Sequence, residues 1–363
     1  MTALRERDEL RVALVGYGMA GSVFHAPLIA ATPGLRLAAV VTGNAERGRQ
    51  AEREHPGVRV VATGEELWAR AADVDLVVIA TPNRTHVPLA LAAVEHGLAV
   101  VVDKPLATGA AEGRRLVEEA RRRAVPLTVF QNRRWDGVFL TLQRLLAEGA
   151  LGEPVRLESR FDRWRPAPKP GWRERGAPEE AGGLLFDLGS HLIDQALRLF
   201  GPVRDVYAEL DRRRPGVEVD DDSFVALTHA SGVRTHLYAS VLAAEAGPRF
   251  RCFGTRGAYV KRGLDVQEAA LKAGGRPDQP GWGEETSDRW GLLHDGTDAH
   301  AVRTEPGAYQ RFYEGVAESL RGGAPLPVDA ADAVRGLEVI EAARRSAAER
   351  RVVALDGADR ARP

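Results

Sequence analysis

The chain has 363 residues, of which 50 are lysine or arginine and 51 are aspartate or glutamate, so the formal net charge is −1. This length favours two domains, and the balanced charge disfavours electrostatic binding of nucleic acid. The one cysteine, Cys252, excludes an internal disulfide and a multi-cysteine metal site. No signal-peptide core is present, and no apolar run approaches the ~20 residues that span a bilayer. We expect a cytoplasmic enzyme or binding protein without a nucleic-acid, membrane or metal partner.

Short apolar runs alternate with amphipathic stretches through the first third of the chain. The runs predict strands over Leu10–Val15, Leu35–Val41, Val58–Val61, Leu76–Ala80, Leu98–Val102 and Leu127–Phe130. The stretches between them predict helices over Met19–Ala31, Asn44–Glu54, Glu65–Ala71, His86–Glu95 and Ala110–Arg123. Continuous apolar strands joined by helices are typical of parallel strands covered on both faces. We predict an α/β fold whose residues 1–131 form a doubly wound Rossmann domain.

The pattern changes after about Asn132. A helix is predicted over Gly137–Glu148, and further strands over Val155–Arg160, Val203–Leu210, Ser223–Thr228, Val233–Ser240, Arg249–Phe253 and Ala258–Lys261. Hairpin signals between some of these strands favour a mostly antiparallel sheet. Two stretches, Trp164–Gly176 and Ala273–Asp298, are expected to be irregular, and two helices, near Tyr309–Arg321 and Ala330–Glu349, close the chain. We predict an α+β domain over residues 132–355 and a frayed tail over 356–363.

A glycine-rich motif follows the first strand and opens the first helix. Its residues are Gly16, Tyr17, Gly18, Met19, Ala20 and Gly21, the pattern G-x-G-x-x-G. The first glycine permits a tight turn, the second lets backbone approach a pyrophosphate, and the third lets the helix lie close to the sheet. The helix N-terminus offers free N–H groups to phosphate. In this context the motif favours a dinucleotide site over a plain strand–turn–helix junction.

The end of the second strand bears on which dinucleotide is bound. NAD sites usually carry an acidic residue there for the ribose 2′-hydroxyl, but this chain has Thr42 and Asn44, followed by Arg47. These groups suit a 2′-phosphate, because none of them repels it. We therefore expect NADP in preference to NAD. In the alternative interpretation, Arg47 is simply a solvated helix residue.

Further candidate cofactor-binding residues follow two more strands. Thr81, Pro82 and Asn83 come after Leu76–Ala80, with His86 opening the next helix; for His86 itself, a structural ring with satisfied nitrogens is the better interpretation. Asp103 and Lys104 follow Leu98–Val102. Lysine occurs only four times in a chain rich in arginine, at Lys104, Lys169, Lys261 and Lys272. An ammonium group at this sheet edge can bind a substrate oxygen, so Lys104 is a candidate catalytic residue.

Asp187 and His191 form a second candidate cluster. If Leu184–Phe200 is helical, the two residues share a face at i and i+4, where the carboxylate can orient the imidazole or bind a substrate hydroxyl. The alternatives are a structural ion pair or a metal site, but no further ligands occur at helical spacing. The acidic run Asp220-Asp221-Asp222 is expected to be a charged strand edge.

Together these motifs resemble the Gfo/Idh/MocA oxidoreductases: the Gly16–Gly21 loop, Thr81-Pro82 with His86, Asp103-Lys104-Pro105, and Gly182-Gly183 followed by Asp187, His191 and Asp194. The family's usual Glu-Lys-Pro is Asp-Lys-Pro here. Other segments, including Phe24–Ile29, Asn132–Asp136 and Glu158–Arg163, are similar to NADP-dependent scyllo-inositol dehydrogenases.

The resemblance implies an open, mostly antiparallel C-terminal sheet through which dimers or tetramers form. It also implies that Lys104, Asp187 and His191 surround the reacting carbon of a sugar, cyclitol or related polyol. We expect Asn132, Arg133, Arg163 and Trp172 to contact that substrate. His191 is the expected proton acceptor, and Lys104 is the alternative. Two other activities remain open: a glycosidase that uses NAD for transient oxidation, and a nucleotide-sensing regulator without turnover.

Overall fold

A computed structural model describes residues 9–168, 171, 174 and 180–355. The chain divides into two compact units. The first contains the described residues up to Trp135 together with Gln267–Trp282 and Ala308–Val334. The second contains Asp136–Val266, Gly283–Gly307 and the described residues from Arg335 onward. The fold is α/β, with one sheet in each unit.

Six parallel strands form the sheet of the first unit. They are β1 (Leu10–Val15), β2 (Leu35–Val41), β3 (Arg59–Val61), β4 (Leu76–Ile79), β5 (Ala99–Asp103) and β6 (Leu127–Phe130). Their order is β3-β2-β1-β4-β5-β6, and each neighbouring pair is parallel. This is the doubly wound order that the alternating apolar runs predict. β4 and most of β5 are fully buried, as expected for strands covered on both faces.

The helices of the first unit differ from expectation at one important place. Those in the part of the chain that carries the six strands are α1 (Ala26–Ala31), α2 (Ala45–Glu54), α3 (Gly64–Trp68), α4 (His86–Glu95) and α5 (Ala110–Arg122). The single helix expected over Met19–Ala31 instead begins with a π-helical turn, Ala20–His25, and only then becomes α-helical. The expected helix Glu65–Ala71 is shorter, and a 3₁₀ turn, Ala71–Asp73, follows it.

A nine-stranded sheet forms the second unit. Its strands are β7 (Pro154–Asp162), β8 (Val203–Asp211), β9 (Asp222–His229), β10 (Arg234–Ser240), β11 (Phe250–Gly254), β12 (Ala258–Lys261), β13 (Gly291–His294), β14 (Ala299–Val302) and β15 (Val353–Ala354). The order is β14-β13-β12-β11-β7-β10-β9-β8-β15, and only the β7–β10 pair is parallel. The expectation of a mostly antiparallel sheet is therefore confirmed.

The second unit buries one face of this sheet. Burial alternates along β9 and β10, as expected for strands with one covered face. Helices α6 (Gly137–Ala147) and α7 (Ser190–Phe200) supply apolar side chains to the covered side. The core cluster includes Phe139 and Leu142 from α6 together with Leu157, Phe250 and Tyr259 from the strands.

Some elements lie where the sequence predicted irregular chain. β13 falls inside Ala273–Asp298, and β14 begins just beyond it. A short helix, α8 (Gln267–Lys272), belongs to the first unit, as does α9 (Gln310–Leu320), and the long helix α10 spans Ala330–Glu349. The first unit thus takes in segments from beyond residue 132. None of the helices in the described part of the chain is long and apolar enough to cross a membrane.

Candidate functional site

The glycine-rich loop between β1 and the π-helical turn has the geometry of a phosphate cradle. Gly16 has φ +98°, and a Cβ built there would lie 2.5 Å from the Ala80 carbonyl oxygen. A Cβ on Gly21 would lie 2.1 Å from the Gly16 carbonyl oxygen. On Gly18, by contrast, a Cβ would have one described neighbour within 4 Å, the Arg47 Nη1 atom at 3.8 Å. The packing around positions 16 and 21 thus leaves room only for glycine. Gly18 faces open space beside the Arg47 guanidinium, and this open space is suited to a pyrophosphate.

The non-glycine residues of the loop differ in the groups that a cofactor could contact. The Tyr17 side chain is buried, and its hydroxyl donates a hydrogen bond to Glu54 Oε2 at 2.7 Å. Burial, together with this carboxylate, raises the pKa of Tyr17 well above its ordinary value. Tyr17 can therefore serve a cofactor only through its backbone. Met19 is 55% exposed, and Ala20 begins the π-helical turn.

Asn44, one of the residues predicted to bind a 2′-phosphate, is the N-cap of α2 just after the end of β2. The Asn44 side-chain oxygen accepts hydrogen bonds from the backbone N–H groups of Glu46 and Arg47, both at 3.0 Å. The Thr42 hydroxyl accepts one from the Asn44 N–H at 3.3 Å. Capping occupies the amide oxygen of Asn44, so its amide nitrogen is the group that can donate to a ligand. Arg47 is exposed, and it is the guanidinium that lies beside Gly18.

The loop after β4 is fixed from within by His86. Its two ring nitrogens lie 2.7 Å from the Pro105 carbonyl oxygen and 2.9 Å from the Thr81 carbonyl oxygen. The ring is fully buried, and burial lowers its pKa. His86 therefore links two strand-end loops through its ring, and its predicted contact with a cofactor stays a prediction. Asn83 is buried in a 3₁₀ turn directly after Pro82.

Lys104 directly follows β5, and the buried His25 lies beside the carboxylate of its neighbour Asp103. Asp103 Oδ1 accepts the Lys104 backbone N–H at 2.9 Å and lies 3.7 Å from His25 Nε2. His25 is fully buried, and its Nδ1 lies 2.5 Å from the Tyr313 hydroxyl. Burial works to raise the pKa of Asp103, but His25, Lys104 and His86 outweigh it and hold the pKa below its usual range. Asp103 is thus an ionised anchor for the backbone at Lys104.

In the second unit, Asp187 and His191 lie on either side of a change in helix type. Leu185–Gly189 is a π-helical turn, and α7 begins at Ser190. Asp187 is partly buried and its backbone N–H donates to the Gly183 carbonyl oxygen at 3.1 Å, while His191 is 6% exposed. Leu184–Phe200 is thus helical throughout, as considered from the sequence, but its first turn is π-helical and not α-helical. π-Turns occur often at functional sites, and each unit has one beside its candidate residues.

The predicted substrate residue Arg133 is committed to other protein groups. It lies with Asn132 in a buried 3₁₀ turn of the first unit. Its guanidinium donates to the Tyr309 hydroxyl at 2.8 Å and forms a short, buried ion pair with Glu268. Burial works against the charge of Glu268, but Arg133 and Lys272 outweigh it and lower its pKa to about 2. These contacts place Arg133 in the interior of the first unit, and its expected role as a substrate ligand stays a prediction.

The remaining predictions have mixed outcomes. Arg163 is partly buried at the end of β7, and its backbone N–H donates to the Ser240 carbonyl oxygen at 2.8 Å. Trp172 lies outside the described residues. Asp220 and Asp221 do not form the expected charged strand edge, because both are bonded to neighbouring segments of the second unit. Within the described ranges, no group of three or more His, Cys, Asp or Glu side chains could hold a metal ion.

Three residues that support candidate residues carry no recognisable signal in the sequence: Tyr313, Glu268 and Tyr309. Their partners lie 288, 135 and 176 residues away in the chain. No local pattern reveals such pairs. The one available signal was His25, a histidine within an otherwise apolar segment, Phe24–Ile29.

Comparison with known proteins agrees with this architecture. Residues 10–131 match the Gfo/Idh/MocA model for the oxidoreductase family NAD-binding Rossmann fold, and residues 143–355 match that family's C-terminal alpha/beta domain. The chain is 41% identical over 350 residues to the uncharacterized oxidoreductase YdgJ of Escherichia coli, covering 96% of this chain and 99% of that protein. It is 35% identical over 356 residues to IolW of Bacillus subtilis, a scyllo-inositol 2-dehydrogenase (NADP⁺), covering 97% and 98%. The solved structure of yvaA from Bacillus subtilis has a TM-score of 0.91 at 34% identity, covering 97% of this chain and 99% of that one.

Proposed function

This chain belongs to the Gfo/Idh/MocA oxidoreductase family, and on that premise we propose that it oxidises a secondary hydroxyl of a polyol, reversibly, with NADP preferred over NAD. The observation that carries the proposal is the glycine loop, in which Gly18 faces open space beside the Arg47 guanidinium. The Bacillus subtilis relative, a scyllo-inositol 2-dehydrogenase that uses NADP⁺, supports an inositol-like or sugar-like substrate.

In the first unit, the loop residues and Lys104 would have separate roles. The backbone of Gly16–Gly21 would hold the pyrophosphate, and Asn44 with Arg47 would hold the 2′-phosphate. When bound, the nicotinamide supplies the acceptor for the hydride that leaves the substrate carbon. The Lys104 ammonium would donate a hydrogen bond to the substrate oxygen, and the Asp103 carboxylate keeps the backbone at Lys104 fixed.

In the second unit, His191 would be the group that accepts the proton. As the substrate C–H bond breaks, the hydroxyl proton would pass to the His191 imidazole, leaving a ketone. Asp187 would bind a substrate hydroxyl or orient the imidazole. Lys104 as the proton acceptor is the alternative within the same activity.

A polyol and sugar panel assayed with NADP and NAD tests this proposal. We expect steady formation of reduced nicotinamide with at least one cyclitol or aldose, faster with NADP. Lys104→Ala should still bind NADPH but lose about 10²- to 10⁴-fold in turnover. Arg115→Ala, which removes an exposed cationic side chain of the same unit, is the control and should keep turnover. Cleavage of an aryl glycoside without net reduced nicotinamide would favour the glycosidase, and binding without any turnover would favour the regulator.

We propose further that two or four copies associate through the second sheet. One face of that sheet carries half-buried aromatic and arginine side chains, a composition typical of interfaces. The Arg160 guanidinium lies 4.1 Å from the Tyr238 ring centroid, and the Phe224 ring lies 5.0 Å from that of Tyr238. Sedimentation should show an oligomer for the wild type and a monomer for Tyr238→Glu. An unchanged oligomer in this variant would contradict the choice of face.

A further inference from the structure

Two adjacent aspartates at the entry to β9 hold separate segments of the second unit. We infer that Asp220 is a positioning residue for the turn that carries Asp187 and leads to His191, and that Asp221 fixes the chain beside it. This inference rests on the proposed function for the roles of Asp187 and His191. Its structural content stands on contacts within the second unit alone.

Asp220 binds the start of the π-helical turn through both its side chain and its backbone. Its Oδ2 accepts a hydrogen bond from the Leu185 N–H at 2.7 Å, and its carbonyl oxygen accepts one from the Leu184 N–H at 2.9 Å. These are two of the N–H groups that a helix start leaves without an internal partner. An anionic acceptor at this end is also favoured by the helix dipole. Asp220 therefore caps the turn from outside the helix.

Gly183 shows how closely Asp220 is fitted to this turn. It has φ +91°, and a Cβ built there would lie 2.1 Å from Asp220 Oδ1, so only glycine leaves room for the carboxylate. The Gly183 carbonyl oxygen in turn accepts the Asp187 N–H at 3.1 Å. A direct chain of contacts thus runs from the Asp220 carboxylate through the turn to the backbone of Asp187.

Asp221 fixes the neighbouring segment through Arg214. The two side chains are buried, with Asp221 Oδ2 2.9 Å from Arg214 Nε. Arg214 Nη1 donates to the Arg165 carbonyl oxygen at 3.1 Å, in the arginine-rich stretch that follows β7. Adjacent aspartates therefore hold the start of the candidate helix and the backbone of this stretch. Displacing the Asp220 side chain alone should therefore change the start of the helix and leave the hydrogen bond to the Arg165 carbonyl oxygen in place.

Amide hydrogen exchange of the full-length protein without ligands tests the first link directly. We expect Asp220→Ala to speed exchange in the peptide covering residues 184–191 by about ten-fold, because the side-chain acceptor of the Leu185 N–H is lost. Asp220→Asn keeps an acceptor of the same shape and should stay near the wild-type rate. Asp222→Ala, which removes the next acid in the run, is the matched control and should leave this peptide unchanged. Unchanged exchange in Asp220→Ala, or equal acceleration in all peptides of the unit, would overturn the inference.

Steady-state kinetics and ligand binding test the second link, from the turn to catalysis. With a substrate from the polyol panel, Asp220→Ala should lower kcat at least ten-fold while the Kd for NADPH stays within two-fold, and Asp220→Asn should restore kcat. Normal kcat in Asp220→Ala, despite faster exchange at 184–191, would overturn the positioning role. Absence of turnover in the wild type would instead refute the proposed function, and the exchange result would still stand on its own.

Discussion

Replacement of Arg47 by alanine should change which dinucleotide the protein prefers. Arg47 is the third residue of α2, exposed, and its Nη1 lies 3.8 Å from the Cβ position of Gly18. A hydrogen bond between charged groups contributes about 1.5–3 kcal/mol. Because this side chain is exposed to solvent and counter-ions, the lower end applies, and about 1.5 kcal/mol corresponds to roughly a ten-fold increase in Kd for NADPH. NADH has no 2′-phosphate, so its Kd should change less than two-fold.

Fluorescence titration of both reduced cofactors gives these Kd values without any knowledge of the substrate. Arg49→Ala is the matched control, because Arg49 is exposed on the same helix two residues further on, where it faces a different side. It should leave both Kd values unchanged. An unchanged Kd for NADPH in Arg47→Ala would refute the 2′-phosphate assignment. Equal weakening of both cofactors would show that Arg47 acts on the shared pyrophosphate.

Four other substitutions test the internal packing. Gly21→Ala would place a Cβ 2.1 Å from a carbonyl oxygen and should abolish dinucleotide binding in the titration, whereas Gly336→Ala, with nothing within 4 Å, should be neutral or stabilising by about 1 kcal/mol in urea unfolding. Burial raises the pKa of Asp220 from 3.8 to about 6, so the free-energy cost of burying its ionised carboxylate is absent below the unfolded value and is fully present once the pH has risen through about 6. The free energy of unfolding of the wild type minus that of Asp220→Asn should therefore fall by up to about 3 kcal/mol between about pH 4 and about pH 8, and a constant difference would contradict this. Glu285→Gln leaves the buried Lys261 ammonium without its carboxylate at 3.0 Å and should cost about 3–5 kcal/mol in urea unfolding, so a loss under 1 kcal/mol would contradict a buried pair.

The Rossmann sheet was predictable because each of its strands is a short apolar run between helices. Because both faces of these strands are buried, almost every position in them must be apolar. β1, β2 and β6 accordingly begin and end where the sequence predicts. The glycine motif was equally visible, since its function depends on backbone geometry that only glycine allows. Strands β13 and β14 were missed because each has four residues and lies in or beside a stretch rich in Gly, Asp and Pro.

The partners of charged residues were not predictable, because they come from distant parts of the chain. Arg133 was expected to bind substrate, and no local pattern showed that Glu268 and Tyr309 would contact its guanidinium in the interior. Asp221 was expected at a charged strand edge, but Arg214 neutralises it in a buried pair. A charged residue in sequence shows only that a partner is needed, and the fold decides whether a ligand or the protein supplies it.

Transfer of a deuterium label tests hydride transfer most directly. A polyol that supports turnover would be deuterated at the reacting carbon and incubated with the protein and NADP, and the reduced cofactor analysed by mass spectrometry. We expect one deuterium in each reduced cofactor, formed in equal amount to the ketone, with the yield per unit time lowered about 10²- to 10⁴-fold in Lys104→Ala. Ketone formation with unlabelled reduced cofactor, or labelling at the wild-type rate in Lys104→Ala, would contradict direct hydride transfer assisted by this lysine.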